Sequence, residues 1–104
     1  MTTAILAIDQ GTTNSKAVLV STHGDILARG SSPVGIEHPQ PGWVEQSPLR
    51  LWQSVQEAIA TCLAAAPSVE ILGIAISNQR ESVTVWDADS GKPLGPVVSW
   101  QCRR

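Results

Sequence analysis

Phenylalanine and tyrosine are absent from this sequence. Its core must therefore be aliphatic, supplemented by a few of the four tryptophans. Only two cysteines occur, Cys62 and Cys102. That excludes a disulfide framework and a thiolate zinc site, and Cys62 reads as a small core residue on a helical pattern. Basic residues number seven, scattered, in a chain of net charge −2. No electrostatic footprint for nucleic acid or an anionic membrane follows from that. The start, Met1-Thr2-Thr3, lacks the basic residues of a signal peptide, and no apolar run approaches the length of a membrane span. A cytoplasmic location is the default expectation. Neither of the two commonest phosphate-binding patterns, the Walker A loop and G-x-G-x-x-G, is present. His23 and His38 are isolated and have no ligand-spaced partner.

What is present begins with Ile5-Leu6-Ala7-Ile8-Asp9-Gln10-Gly11-Thr12-Thr13-Asn14-Ser15-Lys16. An apolar run ends in a carboxylate, a polar turn follows, and a second strand returns. Gly11 permits a close backbone approach or a positive φ. Thr12, Thr13, Asn14 and Ser15 concentrate hydroxyls, an amide and backbone N–H groups in one turn, and Lys16 adds a positive charge. Such a turn can form a nest of donors for an anion, most naturally a phosphate. Asp9 beside it suits Mg²⁺ directly or through water, since Mg²⁺ keeps several waters. On local chemistry alone, the same residues also make an ordinary β-turn.

At 104 residues the chain is one domain or a piece of one. A chain of this size buries roughly 65% of its unfolded surface. Residues 4–9 and 15–21 form a predicted hairpin, and residues 26–30, with an outer bound at 34, a third antiparallel strand. Residues 33–47 contain Pro33, Gly35, Pro39, Pro41 and Gly42 and read as a long irregular segment of the kind that covers sites. Ser47-Pro48 then opens a helix. Its apolar face carries Trp52, Val55, Ile59, Cys62, Leu63 and Ala66, and Pro67 ends it. Residues 71–77, ILGIAIS, form a near-continuous apolar strand, expected parallel to an earlier one and covered on both faces. Residues 82–86 and 97–100 resemble a hairpin around 87–92. Asp87-Ala88-Asp89-Ser90-Gly91 is a turn rather than a calcium loop: its Gly comes one position early, and Val98 stands where a closing Glu would fall.

Polar residues follow two strand ends, Asp9 and Arg80-Glu81, and ligands of open α/β sheets bind at such ends. Arg80 and Glu81 have a bland reading as a solvated strand end. They also form a donor–acceptor pair suited to hydroxyl groups. Trp100 is either a half-buried strand aromatic or an apolar wall for a carbon chain.

Together, five stretches resemble the N-terminal part of the FGGY carbohydrate kinases, within which the glycerol kinases are most similar. They are Ile8–Lys16, Pro41-Gly42-Trp43-Val44-Glu45-Gln46-Ser47-Pro48, Asn78-Gln79-Arg80-Glu81, Gly91-Lys92-Pro93 and Trp100-Gln101-Cys102-Arg103-Arg104. The resemblance implies an actin-like, ribonuclease-H-like ATPase fold: α/β with a mixed sheet, βββαβ followed by a hairpin. It implies transfer of the γ-phosphoryl of ATP, with Mg²⁺, to a primary hydroxyl of a small polyol, glycerol first. Gly11, Thr12, Thr13, Asn14 and Lys16 would serve the phosphates, Asp9 would position Mg²⁺ through water, and Arg80, Glu81 and Trp100 would contact the polyol. Arg80-Glu81 favours glycerol kinases over xylulokinase-like relatives, which usually carry a Met-His pair. Asn14 departs from the usual Ser, and Lys16 from the frequent Arg, whose bidentate fork it lacks. The catalytic Asp base, the second phosphate loop and the adenosine pocket would lie downstream of residue 104. The chain is therefore expected to be the N-terminal part of the first kinase domain, inactive alone, prone to self-association, and drawn from a homo-oligomeric parent. Another FGGY sugar kinase is the alternative, as is a non-catalytic actin-like module binding nucleotide or a partner.

Overall fold

The computed structural model describes residues 2–104. Three antiparallel strands come first: β1 (Thr3–Gln10), β2 (Asn14–Ser21) and β3 (Ile26–Pro33). A two-residue strand β4 (Glu45–Gln46) precedes the helix α1 (Pro48–Ala64), which leads to β5 (Glu70–Asn78) and a short β6 (Val97–Val98). The main sheet has the order β3-β2-β1-β5, with β5 parallel to β1. The expected meander, helix and parallel strand are thus all present.

Strict alternation decides which side of the sheet is covered. Ala4, Leu6 and Ile8 of β1, Ala17 and Leu19 of β2 and Ala28 of β3 point to one face. There they meet Val55, Ala58 and Cys62 of α1, with Ile59, Leu63 and Ala66 packed at the margin. The buried core contains no tryptophan; Trp52, Trp86 and Trp100 are all exposed. Trp52 therefore does not lie on the buried face as its spacing suggested. It sits in the first turns of α1, at the rim, and Ser54 and Ala58 take the buried positions instead. Small residues are used there because helix and sheet backbones approach closely. A Cβ on Gly30 would lie 2.1 Å from the Ala58 carbonyl oxygen.

The helix starts where the sequence predicted. The Ser47 hydroxyl accepts a hydrogen bond from the Arg50 N–H, and Pro48 occupies the first turn, where a missing N–H costs nothing. The helix is further tied to the sheet by two polar contacts. Ser15 and Ser54 hydrogen-bond at 2.7 Å within the core, and Ser54 donates onward to the Leu51 carbonyl. At the rim, Ser32 donates to Glu57, which also pairs with Arg50 at 3.1 Å.

Further expectations are corrected. The strand β5 was expected to be covered on both faces. Instead Leu72, Ile74 and Ile76 are exposed, because α1 packs over β2 and β3 and barely reaches β1. No described element covers β5. Nor do residues 82–86 and 97–100 form a regular hairpin. The two segments share a single bridge, Val83↔Val98, while Trp86 bridges to Pro93, outside both. Pro93 and Pro96 supply no N–H to a ladder, and β6 pairs with β4 instead. The turn itself is as expected: Asp87 accepts from the N–H groups of Asp89 and Ser90, both at 2.9 Å. Residues 33–47 are not structureless either. Gly42 accepts from the Arg103 N–H at 2.7 Å, and the Arg104 guanidinium stacks 3.9 Å over Trp43 while pairing with Glu45.

Gly30→Ala should destabilise the protein by at least about 2 kcal/mol, since the helix backbone would have to lift from β3. Gly95→Ala, with nothing within 4 Å of the new methyl, is the near-neutral control. Urea unfolding of both variants measures the difference. Hydrogen bonds from Arg50 and then Ser32 hold the Glu57 carboxyl below its ordinary value of 4.5. A depressed carboxyl stabilises the fold fully above that value, and the contribution disappears as pH falls through the lower folded value. Glu57→Gln should therefore flatten the acid limb of the stability–pH curve below 4.5.

Candidate active site

The parallel register sets Gln10 of β1 beside Asn78 of β5, so both strands stop at the same level. Everything that follows each strand, residues 11–13 and 79–81, emerges at one end of the sheet. The 11–13 turn is tight. The Gly11 N–H closes it on the Asn14 carbonyl at 2.9 Å, and a Cβ on Gly11 would stand 2.9 Å from that same oxygen. Glycine is needed here for close approach. The Gly11 N–H is thus engaged within the turn. The N–H groups of Thr12 and Thr13 bond to no carbonyl of the described chain, and these two are the donors left for an anion. The Thr13 carbonyl is held by the Val34 N–H at 3.0 Å.

Facing this turn across a cleft of about 350 Å³ are Asn78, Gln79, Arg80, Glu81 and Trp100, with Thr12 as the cleft's other wall. The Trp100 indole N–H donates to the Thr12 hydroxyl at 3.0 Å. Thr12, the Arg80-Glu81 pair and Trp100, three places far apart in sequence, are therefore brought into one hollow. Arg80 and Glu81 are both exposed, and neither forms an ion pair among the described residues. Glu81 has φ 65°, the only non-glycine positive φ among the described residues. An L-residue pays about 1–2 kcal/mol for that conformation, and strain of this kind clusters at functional sites.

Asp9 and Lys16 stand elsewhere. They are cross-strand partners in β1 and β2, exposed on the bare face of the sheet. With Ala7, Val18, Ala75 and Ser77 they line a separate hollow of about 240 Å³. Asp9 makes no ion pair, and no cluster of three or more His, Cys, Asp or Glu exists among the described residues. A lone, solvated carboxylate fits a Mg²⁺ ion that keeps most of its waters and takes phosphate oxygens as its other ligands. It does not fit a site built wholly from protein side chains. Asn14 opens β2 at the end of the turn, opposite Pro33.

Sequence reasoning missed the polar frame beneath the cleft. Gln46, only 1% exposed, donates to the Thr12 carbonyl at 2.6 Å and accepts from the Gln79 amide at 3.0 Å. Gln79 also donates to Gln10 at 3.3 Å and accepts from the Ser82 hydroxyl at 2.7 Å. No buried side-chain nitrogen or oxygen among the described residues lacks a partner. A signal was available for Gln10, which falls in phase with the buried positions Ala4, Leu6 and Ile8. For Gln46 the signal was only its place in the 41–48 stretch, since its partners are more than thirty residues away. The Cys102 N–H donates to the Ser99 carbonyl at 2.9 Å, and its side chain is half-buried. Desolvation works to raise its thiol, but hydrogen bonds, chiefly from the Arg104 guanidinium, outweigh it and hold the thiol below its ordinary range.

The family model for the FGGY family of carbohydrate kinases, N-terminal domain, matches residues 4–104, and the chain belongs to that family. It is 50% identical over 103 residues to the apulose kinase of Pectobacterium atrosepticum, a match covering 99% of this chain and 21% of that protein. It is 43% identical over 106 residues to a glycerol kinase of Bacillus velezensis, covering 100% of this chain and 21% of the relative. The crystal structure of Plasmodium falciparum glycerol kinase with ADP superposes with a TM-score of 0.94 at 29% identity, over 99% of this chain and 21% of that one. The chain thus spans about a fifth of the length of these relatives. Its fold is the α/β, actin-like, ribonuclease-H-like fold of FGGY kinases.

Glu81→Gly and Glu81→Ala should separate strain from chemistry. The glycine variant should be the more stable of the two by roughly 1 kcal/mol, because it removes the left-handed penalty. Denaturant midpoints decide it, and a more stable alanine variant would contradict the strain.

Proposed function

We propose that these residues form the first part of an ATP-dependent kinase that phosphorylates a primary hydroxyl of a small polyol, with glycerol, giving glycerol 3-phosphate, as the first candidate. The single observation that supports it best is the cleft joining Thr12 to Arg80, Glu81 and Trp100. Phosphoryl transfer depends chiefly on holding two reactants in line and stabilising charge. A turn with free N–H donors and hydroxyls suits a terminal phosphate group. Arg80 can donate to a substrate oxygen, Glu81 can accept from a substrate hydroxyl, and the Trp100 ring can lie against the carbon chain.

In this reading Gly11, Thr12, Thr13, Asn14 and Lys16 serve the phosphates of ATP. Asp9 orients waters of a Mg²⁺ ion, which when bound would neutralise phosphate charge. The base that takes the hydroxyl proton, and the opposing phosphate loop, come from the remainder of a longer kinase that is homo-oligomeric and cytoplasmic. The 104-residue chain alone is then inactive, and its bare β5 gives it a reason to self-associate.

A second reading keeps the chemistry and changes the substrate to a sugar. The relative named apulose kinase favours it, being more identical than the glycerol kinases quoted above. Arg80 and Glu81 line the cleft and are exposed, so they can also meet the hydroxyls of a longer substrate.

An ATP-coupled assay of the whole kinase carrying these residues, run against glycerol, apulose, xylulose and gluconate, distinguishes the two readings. Glu81→Ala should reduce kcat/KM for the preferred substrate by about 10- to 100-fold, the scale of a lost charge-assisted hydrogen bond. Nucleotide affinity should change less than about threefold. Equal losses in both would remove Glu81 from the substrate site.

A further inference from the structure

Five residues close a ring of hydrogen bonds beneath the cleft. Gln46 Nε2 donates to the Thr12 carbonyl at 2.6 Å, and Gln79 Nε2 donates to Gln46 Oε1 at 3.0 Å. Ser82 Oγ donates to Gln79 Oε1 at 2.7 Å, and the Trp100 backbone N–H donates to Ser82 Oγ at 3.1 Å. Trp100 Nε1 then donates to Thr12 Oγ1 at 3.0 Å, returning to the residue where the ring began. The direction of every bond is determined. A carbonyl can only accept, so Gln46 must turn its amide nitrogen to Thr12 and its oxygen to Gln79. Gln79 must then present nitrogen to Gln46 and oxygen to Ser82. At the other end, an indole N–H can only donate. The Thr12 hydroxyl therefore accepts, and its own proton is left to point away from Trp100.

We propose that this ring couples the two halves of the site, so that a phosphate at the 11–13 turn and a polyol at Arg80, Glu81 and Trp100 each strengthen binding of the other. The inference rests on the kinase reading above. Gln46 is its centre: a positioning residue, almost wholly buried, contacting the phosphate turn through Thr12 and the substrate strand end through Gln79. A ligand that orders Thr12 orders Trp100 and Gln79 with it, and the second ligand then meets groups already in place. Such a coupling is reciprocal, and couplings of this kind commonly amount to 5–150-fold in affinity. The closed topology adds a further expectation. Breaking one link leaves the turn and the strand end joined by the other path, so single breaks weaken the coupling and only a double break removes it.

The test uses the whole kinase carrying these residues. The Kd of a non-hydrolysable ATP analogue with Mg²⁺ is measured by calorimetry with and without saturating glycerol, or with the panel sugar turned over best if that is not glycerol. The ratio of the two Kd values is the coupling factor. Gln46→Leu removes the buried amide, Trp100→Phe keeps an aromatic wall while removing the indole donor, and the double variant cuts both paths. The wild type should show a factor of about 5 or more. Each single variant should lower it at least twofold, and the double variant should bring it to about 1. Thermal unfolding accompanies each measurement. If Gln46→Leu does not fold, Gln79→Ala, at a half-buried position, cuts the same path between Gln46 and Ser82 and takes its place in the double variant. A wild-type factor of 1, or an unchanged factor in the folded double variant, overturns the coupling while leaving the kinase reading intact. A wild type that binds no nucleotide and phosphorylates nothing in the panel overturns the kinase reading, and the coupling with it.

Discussion

The parallel pairing of β1 with β5 is the constraint on which the rest depends. It aligns Gln10 with Asn78 and so delivers two chain segments, separated by a whole helix, to one end of the sheet. A shift of one residue would turn the side chains of β5 to the opposite face and move the Arg80-Glu81 end away from Thr12. The crossover through α1 makes that pairing possible, because parallel strands need a long connection. The helix in turn is held on β2 and β3 by contacts that tolerate little change, with Gly30 under the Ala58 carbonyl and Ser15 on Ser54.

Above this aliphatic layer the site is built from amides and hydroxyls. A buried glutamine is costly unless both ends of its amide are satisfied, and a lost partner costs about 1–3 kcal/mol. Gln46 meets that requirement by joining Thr12 and Gln79, so stability and site geometry depend on the same bonds. The segment before α1 looks like a loop in composition, yet it supplies Gln46 and is tied to the Trp100 end through β6, Arg103 and Arg104. The charged groups of the site are treated differently. Asp9, Lys16, Arg80 and Glu81 are exposed and unpaired among the described residues, which leaves them available to charged or hydroxylated ligands.

The exposed faces of β5 carry a similar message about the rest of the fold. Ile74 and Ile76 are as apolar as the residues of β1, yet α1 is too far across the sheet to cover them. A run such as ILGIAIS belongs in a sheet covered on both sides. The match to proteins about five times as long is consistent with that composition.

The sequence by itself determined what local rules govern. The alternation in residues 3–21, the close approach needed at Gly11, the Ser47-Pro48 helix start and the Asp87 turn are all set by neighbours a few positions apart, and each appears where those rules put it. The candidate residues of the site were also legible as types: a hydroxyl-rich turn, an Arg-Glu pair and a tryptophan. Tertiary structure alone decided how they combine. It set Thr12 beside Arg80, Glu81 and Trp100, left Asp9 and Lys16 on the bare face, and displaced Trp52 from the core. It also placed Gln46 at the centre of the polar frame. The reason is physical: these outcomes follow from strand register and from which face a helix reaches, and both are set by pairings between residues tens of positions apart that no local pattern encodes.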